Sequence, residues 1–185
     1  MPDKLDILVV DDHVVVREGL KRILQENGDC VVAAEAGTVA EALAWLRKRV
    51  FDLVLLDMSL PERTGLELLK TIKHEQPRLP VLVLSACAED HYAVRAFKDG
   101  ADGYLNKQSA MDSLMVAIRK VAGGGKYLTP ALAERIALEL GTRDDRAVHE
   151  MLSDREFEIL KLIARGLSLK DIAERLHISA KTITT

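Results

Sequence analysis

Four short apolar runs recur along the chain at residues 7–10, 30–33, 53–56 and 81–84, with a weaker fifth at 103–105. The runs are continuous rather than alternating and are rich in Val and Leu. Strands buried on both faces of a parallel sheet read this way. Between the runs, apolar residues recur at helical spacing; Leu43, Trp45 and Leu46 give the second helix its apolar side. Several of these helices open with a hydroxyl followed three residues later by an acid: Thr38 with Glu41, Thr64 with Glu67, and Ser109 with the shorter Asp112. There the hydroxyl accepts from a free helix N–H while the acid reaches back to the cap. The third helix stops at Gln76-Pro77, because the residue before proline disfavours helical backbone, and the fourth is followed by Gly100.

Strand–helix units repeated five times predict a doubly wound α/β fold with a five-stranded parallel sheet. Crossovers between parallel neighbours are right-handed, and 2-1-3-4-5 is the common strand order for a sheet of this size. A triple glycine, Gly123-Gly124-Gly125, marks a break, after which residues 130–140 read as one amphipathic helix closed by Gly141. Residues 142–150 are polar and charged. The expected organisation is a first domain over residues 1–125, a linker helix and linker over 126–150, and a small all-α piece over 151–185.

Composition sharpens this only in places. Of 185 residues, 48% are hydrophobic and 30% charged, which fits a globular chain and not a disordered one. Aromatics make up 4%, so aliphatic side chains must fill the core. The net charge of −3 neither requires nor excludes nucleic acid, since an acidic domain masks a basic patch elsewhere. No apolar run approaches the roughly 20 residues that span a bilayer. The start of the chain reaches Asp11-Asp12 after one short apolar run, unlike a secretory signal. A cytoplasmic protein is expected. Cys30 and Cys87 each sit in apolar surroundings without metal-type spacing and read as small buried hydrophobes.

Ligands of open α/β sheets bind outside the carboxyl ends of the strands. The first strand ends in Asp11-Asp12, the third in Asp57, the fourth in Ser85 and the fifth in Lys107. Three carboxylates in one cleft repel unless a cation joins them, and a hard divalent ion such as Mg2+ takes oxygen ligands. Such a pocket suits a phosphoryl group: metal and lysine neutralise its oxygens and the Ser85 hydroxyl donates to one of them. A carboxylate then serves as nucleophile and forms an acyl phosphate. Asp57 is the candidate, alone at a central strand's end, with Asp11 and Asp12 paired for metal. Singly, an acid after a strand is more often a turn former, and a lone lysine a solvated one. The weight rests on the constellation.

Residues 5–122 resemble the receiver domain of two-component response regulators, with the CheY-like fold. The matching stretches are Val9-Val10-Asp11-Asp12-His13, Leu56-Asp57-Met58-Ser59-Leu60-Pro61, Leu84-Ser85-Ala86 and Gly100-Ala101-Asp102-Gly103-Tyr104-Leu105-Asn106-Lys107. The resemblance implies that Asp57 accepts phosphate from the phosphohistidine of a sensor histidine kinase. It implies that Asp12, Asp57 and the Ser59 carbonyl hold Mg2+, with Asp11 acting largely through water. It makes Lys107 a contact of the phosphoryl group, and Ser85 with Tyr104 the switch: the hydroxyl moves toward the phosphate as the ring turns inward. Tyr104 also reads as a static core aromatic. Slow loss of phosphate, not enzymatic turnover, and a phosphorylation-linked homodimer are likewise implied.

Toward the end, Ser153 and Glu156 form a capping box flanked by Leu152 and Phe157 at hydrophobic-staple positions, and Gly166 closes that helix. Ser168 caps a short helix through Leu176; His177-Ile178-Ser179 turns; Ser179 caps a further helix. This is a helix-turn-helix pattern, whose second helix enters the major groove by its N-terminal residues. Residues 169–183 resemble the LuxR-type domain of the NarL/FixJ class. The resemblance implies promoter DNA as a partner, met through Ser179, Lys181, Thr182, Thr184 and Thr185. The chain ends at Thr185, a turn or two into that helix, and basic and acidic side chains balance after Gly141. It is therefore expected to bind DNA more weakly than a version extended through the helix.

Two other classes compete. A haloacid-dehalogenase-type phosphatase also uses an aspartate after a strand, but needs a second acid two residues on, where this chain has Ser59. The other is a receiver that acts through protein–protein contacts without binding DNA, because its helix-turn-helix tail is incomplete. Phosphate-binding glycine motifs of nucleotide-binding folds are missing.

Overall fold

A computed structural model describes residues 4–60, 64–86, 90–107, 110–130, 132–134 and 136. Five strands alternate with five helices: β1 (Leu5–Val10), α1 (Val14–Asn27), β2 (Cys30–Ala36), α2 (Val39–Lys48), β3 (Leu53–Asp57), α3 (Gly65–Glu75), β4 (Val81–Ser85), α4 (Asp90–Lys98), β5 (Gly103–Asn106) and α5 (Ala110–Ala122). The strands form one sheet in the order β2-β1-β3-β4-β5, the order expected for a five-stranded sheet of this kind. All four ladders are parallel, with Leu8 beside Val54, Leu55 beside Leu82 and Val83 beside Tyr104.

The continuous apolar runs arise because the pleat feeds two cores. Leu8, Val10, Val54, Leu56, Val81, Val83 and Tyr104 point to one face, under Ala42 and Leu46 of α2, Leu69 and Ile72 of α3, and Val94 of α4. Ile7, Val9, Leu53, Leu55, Leu82, Leu84 and Leu105 point to the other, under Leu20 and Leu24 of α1 and Leu114, Ile118 and Val121 of α5. Burying a large aliphatic side chain contributes roughly 1.5–3 kcal/mol. Successive residues of β1, β3 and β4 each do so, on alternating sides.

Local signals fall where the chain chemistry places them. The Thr38 hydroxyl accepts from Glu41 N–H and the Thr64 hydroxyl from Glu67 N–H. Glu41 reaches one residue further back than a capping box does, and accepts from Gly37 N–H at 2.7 Å. Ser109 lies outside the described residues. Helix α3 ends at Glu75 with Gln76 as its cap, ahead of Pro77. Cys30 is buried, with its thiol pushed up to about 11 by desolvation and the neighbouring Asp29, so it is inert at neutral pH. Cys87 lies outside the described residues.

The glycine break after α5 does not release the chain from the sheet. Tyr127 forms a parallel bridge with Gly103, Tyr127 N–H donates to Asp102 O and Tyr104 N–H donates to Tyr127 O. Beneath this edge, Asp102 accepts from Lys73 Nζ at 2.6 Å, Lys126 Nζ at 2.7 Å and Val81 N–H at 2.9 Å. Burial raises its carboxyl, but the two lysines and the amide outweigh burial and hold it below the usual carboxylate range. Residues 130, 132–134 and 136 are helical, as the amphipathic pattern predicts, and Leu132 is buried in the core that contains Tyr104.

Candidate functional site

Each polar residue that closes an apolar run lies at the carboxyl rim of the sheet, and the strand register brings them together. Asp11 follows the last residue of β1; its N–H donates to Ala36 O of β2. Asp57 ends β3 and is only 1% exposed. Ser85 ends β4, is buried, and its carbonyl accepts from Lys107 N–H at 2.8 Å. The β5 backbone thus carries Lys107 over the ends of its neighbours.

At the centre, Lys107 Nζ lies 2.7 Å from Asp11 Oδ2 and 2.8 Å from Asp57 Oδ2. Carboxylate or imidazole atoms of Asp11, Asp12, His13 and Asp57 all lie within 4.8 Å of one another. Burial raises the Asp57 carboxyl above its ordinary range, with the nearby Asp11 charge adding to it, against the opposing pull of Lys107. Burial would lower the Lys107 ammonium, but Asp57 and Asp11 outweigh it and hold it above the usual lysine range. An acid held back from ionising beside two further carboxylates is a site short of positive charge.

Asp12 Oδ1 and Asp57 Oδ2 are buried without an aligned hydrogen-bond partner among the described residues. A nitrogen stands near each at ion-pair distance: His13 Nδ1 lies 2.6 Å from Asp12 Oδ1, and Lys107 Nζ lies beside Asp57 Oδ2. Hydrogen-bond-deficient carboxylate oxygens in a cluster of three carboxylates suit a hard divalent cation such as Mg2+.

The remaining expected residues take distinct places. Ser59 N–H donates to Asp57 Oδ1 at 3.2 Å, so the loop after β3 folds over the carboxylate. Tyr104 is buried on the α2–α4 side of the sheet, packed in the core with Val94 and Leu132. Ser179, Lys181, Thr182, Thr184 and Thr185 lie outside the described residues.

Three residues that shape the site carried little signal in the sequence. His13 lies next to the acidic pair and its N–H donates to Asp11 Oδ1 at 2.8 Å. Arg17 Nη1 donates to the Asp11 carbonyl at 2.6 Å. Gly65 opens α3 against the end of β3: a Cβ there would lie 2.3 Å from the Asp57 carbonyl oxygen and 2.7 Å from Met58 Cα. A glycine at the first position of a helix, where it weakens the helix, was the available sign of such an approach.

Residues 7–119 match the response regulator receiver domain family, and residues 150–185 match the LuxR family of bacterial regulatory proteins. Over 182 residues the chain is 32% identical to response regulator UvrY of Escherichia coli (strain K12), covering 98% of this chain and 84% of that protein. It is similar in structure to a LuxR-family two-component response regulator from an Aurantimonas species, with a TM-score of 0.69 and 32% identity over 75% of this chain and 99% of the other. It is similar as well to the RcsB response regulator of Salmonella typhimurium, whose structure is described for its conformational dynamism in DNA interaction. There the TM-score is 0.68 and the identity 25%, over 98% of this chain and 88% of the other. The chain belongs to the response regulator family, and within it to the NarL/FixJ class of transcription regulators, in which a receiver domain is joined to a LuxR-type DNA-binding segment. Among the described residues, no helix is long and apolar enough to cross a membrane.

Proposed function

We propose that this regulator is switched by phosphoryl transfer to Asp57 from the phosphohistidine of a sensor histidine kinase in the cytoplasm, and that the switch controls its binding to promoter DNA. The observation that carries the reading is Lys107 Nζ set between Asp11 and Asp57, beside carboxylate oxygens that lack aligned partners. Asp11, Asp12, Asp57 and the Ser59 backbone carbonyl would hold Mg2+. When bound, the ion supplies positive charge that offsets the carboxylates and the oxygens of an incoming phosphoryl group.

The protein's own groups perform the rest. An Asp57 carboxylate oxygen attacks phosphorus; the phosphorus–nitrogen bond of the donor breaks, its electrons return to the imidazole, and a mixed anhydride forms on Asp57. Lys107 keeps its proton through this step, because the carboxylates around it hold its ammonium above the usual lysine range, and it neutralises a phosphoryl oxygen. The Ser85 hydroxyl donates to another. The added charge favours the arrangement in which Lys107 and Ser85 engage it, and Tyr104, on the strand that leads to Lys107, passes the change to the α4 side. Self-association as a homodimer and DNA contact through Ser179, Lys181, Thr182, Thr184 and Thr185 follow. Asp57 is regenerated by slow hydrolysis of the anhydride, so the chain is a switch and not a turnover enzyme.

The test is incubation with acetyl phosphate and Mg2+. The wild-type chain gains a phosphoryl group labile to hydroxylamine and Asp57→Asn gains none. Equal labelling of the variant would overturn the acceptor assignment.

A further inference from the structure

We propose that Arg17 is a positioning residue for the acidic pair, setting the directions of Asp11 and Asp12 from outside the cluster. The inference rests on the reading of Asp11, Asp12 and Asp57 as the Mg2+-holding pocket.

Strand β1 ends at Val10, so the carbonyl of Asp11 lies past the last ladder position. Arg17, one turn into α1, reaches back across the strand end and donates from Nη1 to that carbonyl at 2.6 Å. Its Nε faces Glu35 Oε2 on β2 at 3.3 Å, and the Arg17 side chain is 16% exposed. Glu35 is held in turn by Lys21; the lysine first, then burial against it and Arg17 with it, leave the Glu35 carboxyl below the usual range and therefore charged. The guanidinium is thus oriented by a fixed anion and spends its other arm on a backbone oxygen, a stronger bond than a neutral donor would make.

A peptide unit is planar, so fixing the direction of the Asp11 C=O also fixes the Asp12 N–H across the same bond. That plane limits the ψ of Asp11 and the φ of Asp12, which aim the two carboxylates. Other ties act on the same turn: Asp11 N–H is held by Ala36 O, Asp11 Oδ1 accepts from His13 N–H, and His13 Nδ1 lies 2.6 Å from Asp12 Oδ1. Arg17 adds the bond to the carbonyl of the peptide that joins the two acids, and so bears directly on the aim of both carboxylates.

Outer partners that orient metal ligands typically change metal affinity about 10–100-fold when removed. Calorimetric titration of Mg2+ into the metal-free chain should therefore show roughly tenfold weaker binding for Arg17→Met. Arg17→Lys, which reaches the carbonyl without holding Glu35 in a fork, should recover part of the loss, and Glu35→Gln should show a smaller loss. With acetyl phosphate, Arg17→Met should need more Mg2+ for half-maximal labelling yet reach the wild-type rate at saturation. Wild-type Mg2+ affinity in Arg17→Met overturns the inference, as does a labelling rate that saturating Mg2+ fails to restore. Should Arg17→Met not fold, Arg17→Lys and Glu35→Gln decide: wild-type affinity in both overturns it. Asp12→Asn separates the two levels. If it binds Mg2+ like wild type, the pocket reading itself fails; if only Asp12→Asn loses binding, the pocket stands and the role of Arg17 falls.

Discussion

The ammonium of Lys107 lies 2.8 Å from Asp57 Oδ2, joining the loop after β5 to the end of β3 across the intervening end of β4. Lys107 is the only Lys or Arg among the described residues that is paired with the acidic cluster, so the stability of the rim depends on it. Lys107→Met leaves two buried carboxylates without their countercharge. Removal of one partner of a buried pair costs about 3 kcal/mol, and the loss should appear as a lower urea midpoint in metal-free buffer. Saturating Mg2+ should restore part of it; a variant as stable as wild type without metal would show that the pair is not coupled to the fold.

Asp57 opposes folding while it is charged. Its folded-state pKa is raised by burial, with Lys107 offsetting only part of this. A group with a raised folded pKa contributes stability below its unfolded pKa and loses that contribution as pH rises through the folded value. For Asp57 the loss therefore sets in at the ordinary carboxylate value and continues above it, up through the raised folded value. In metal-free buffer at pH 7, Asp57→Asn should unfold at higher urea than wild type. The difference should close as pH falls toward the ordinary carboxylate range. A less stable Asn variant at pH 7 would reverse the sign and place Asp57 in a net favourable ion pair.

Gly65 lets α3 begin directly on the end of β3, at Asp57. Because a Cβ would lie 2.3 Å from backbone rather than from a movable side-chain tip, Gly65→Ala must shift α3 or the end of β3. Overpacking of this kind costs about 1–3 kcal/mol. Denaturation should show that loss, with slowed acetyl phosphate labelling, since Gly65 N–H also bonds Met58 O beside Asp57. An alanine variant equal to wild type in both would mean the two elements separate freely.

The rim was legible because polarity ends each apolar run where the strand ends: Asp11, Asp57, Ser85 and Lys107 were found by position, and the sheet order placed them side by side. The two-faced core was legible from the same runs. Arg17, Gly65 and the Tyr127 edge were not, for a common reason. Each acts on a backbone atom of another element, the Asp11 carbonyl, the Asp57 carbonyl and the Tyr104 amide. Contacts of that kind leave no period in the sequence. The Glu41 bond to Gly37 shows the limit of a motif: the cap hydroxyl was placed correctly, while the acid's partner depended on how the chain leaves β2.

The account stands most directly on where the phosphoryl group sits. Borohydride reduces an aspartyl phosphate to homoserine, which marks the acceptor in a peptide map. After labelling with acetyl phosphate and Mg2+, homoserine should be found at position 57 alone. Homoserine at position 11 or 12, or none at 57 in a labelled chain, would contradict the account.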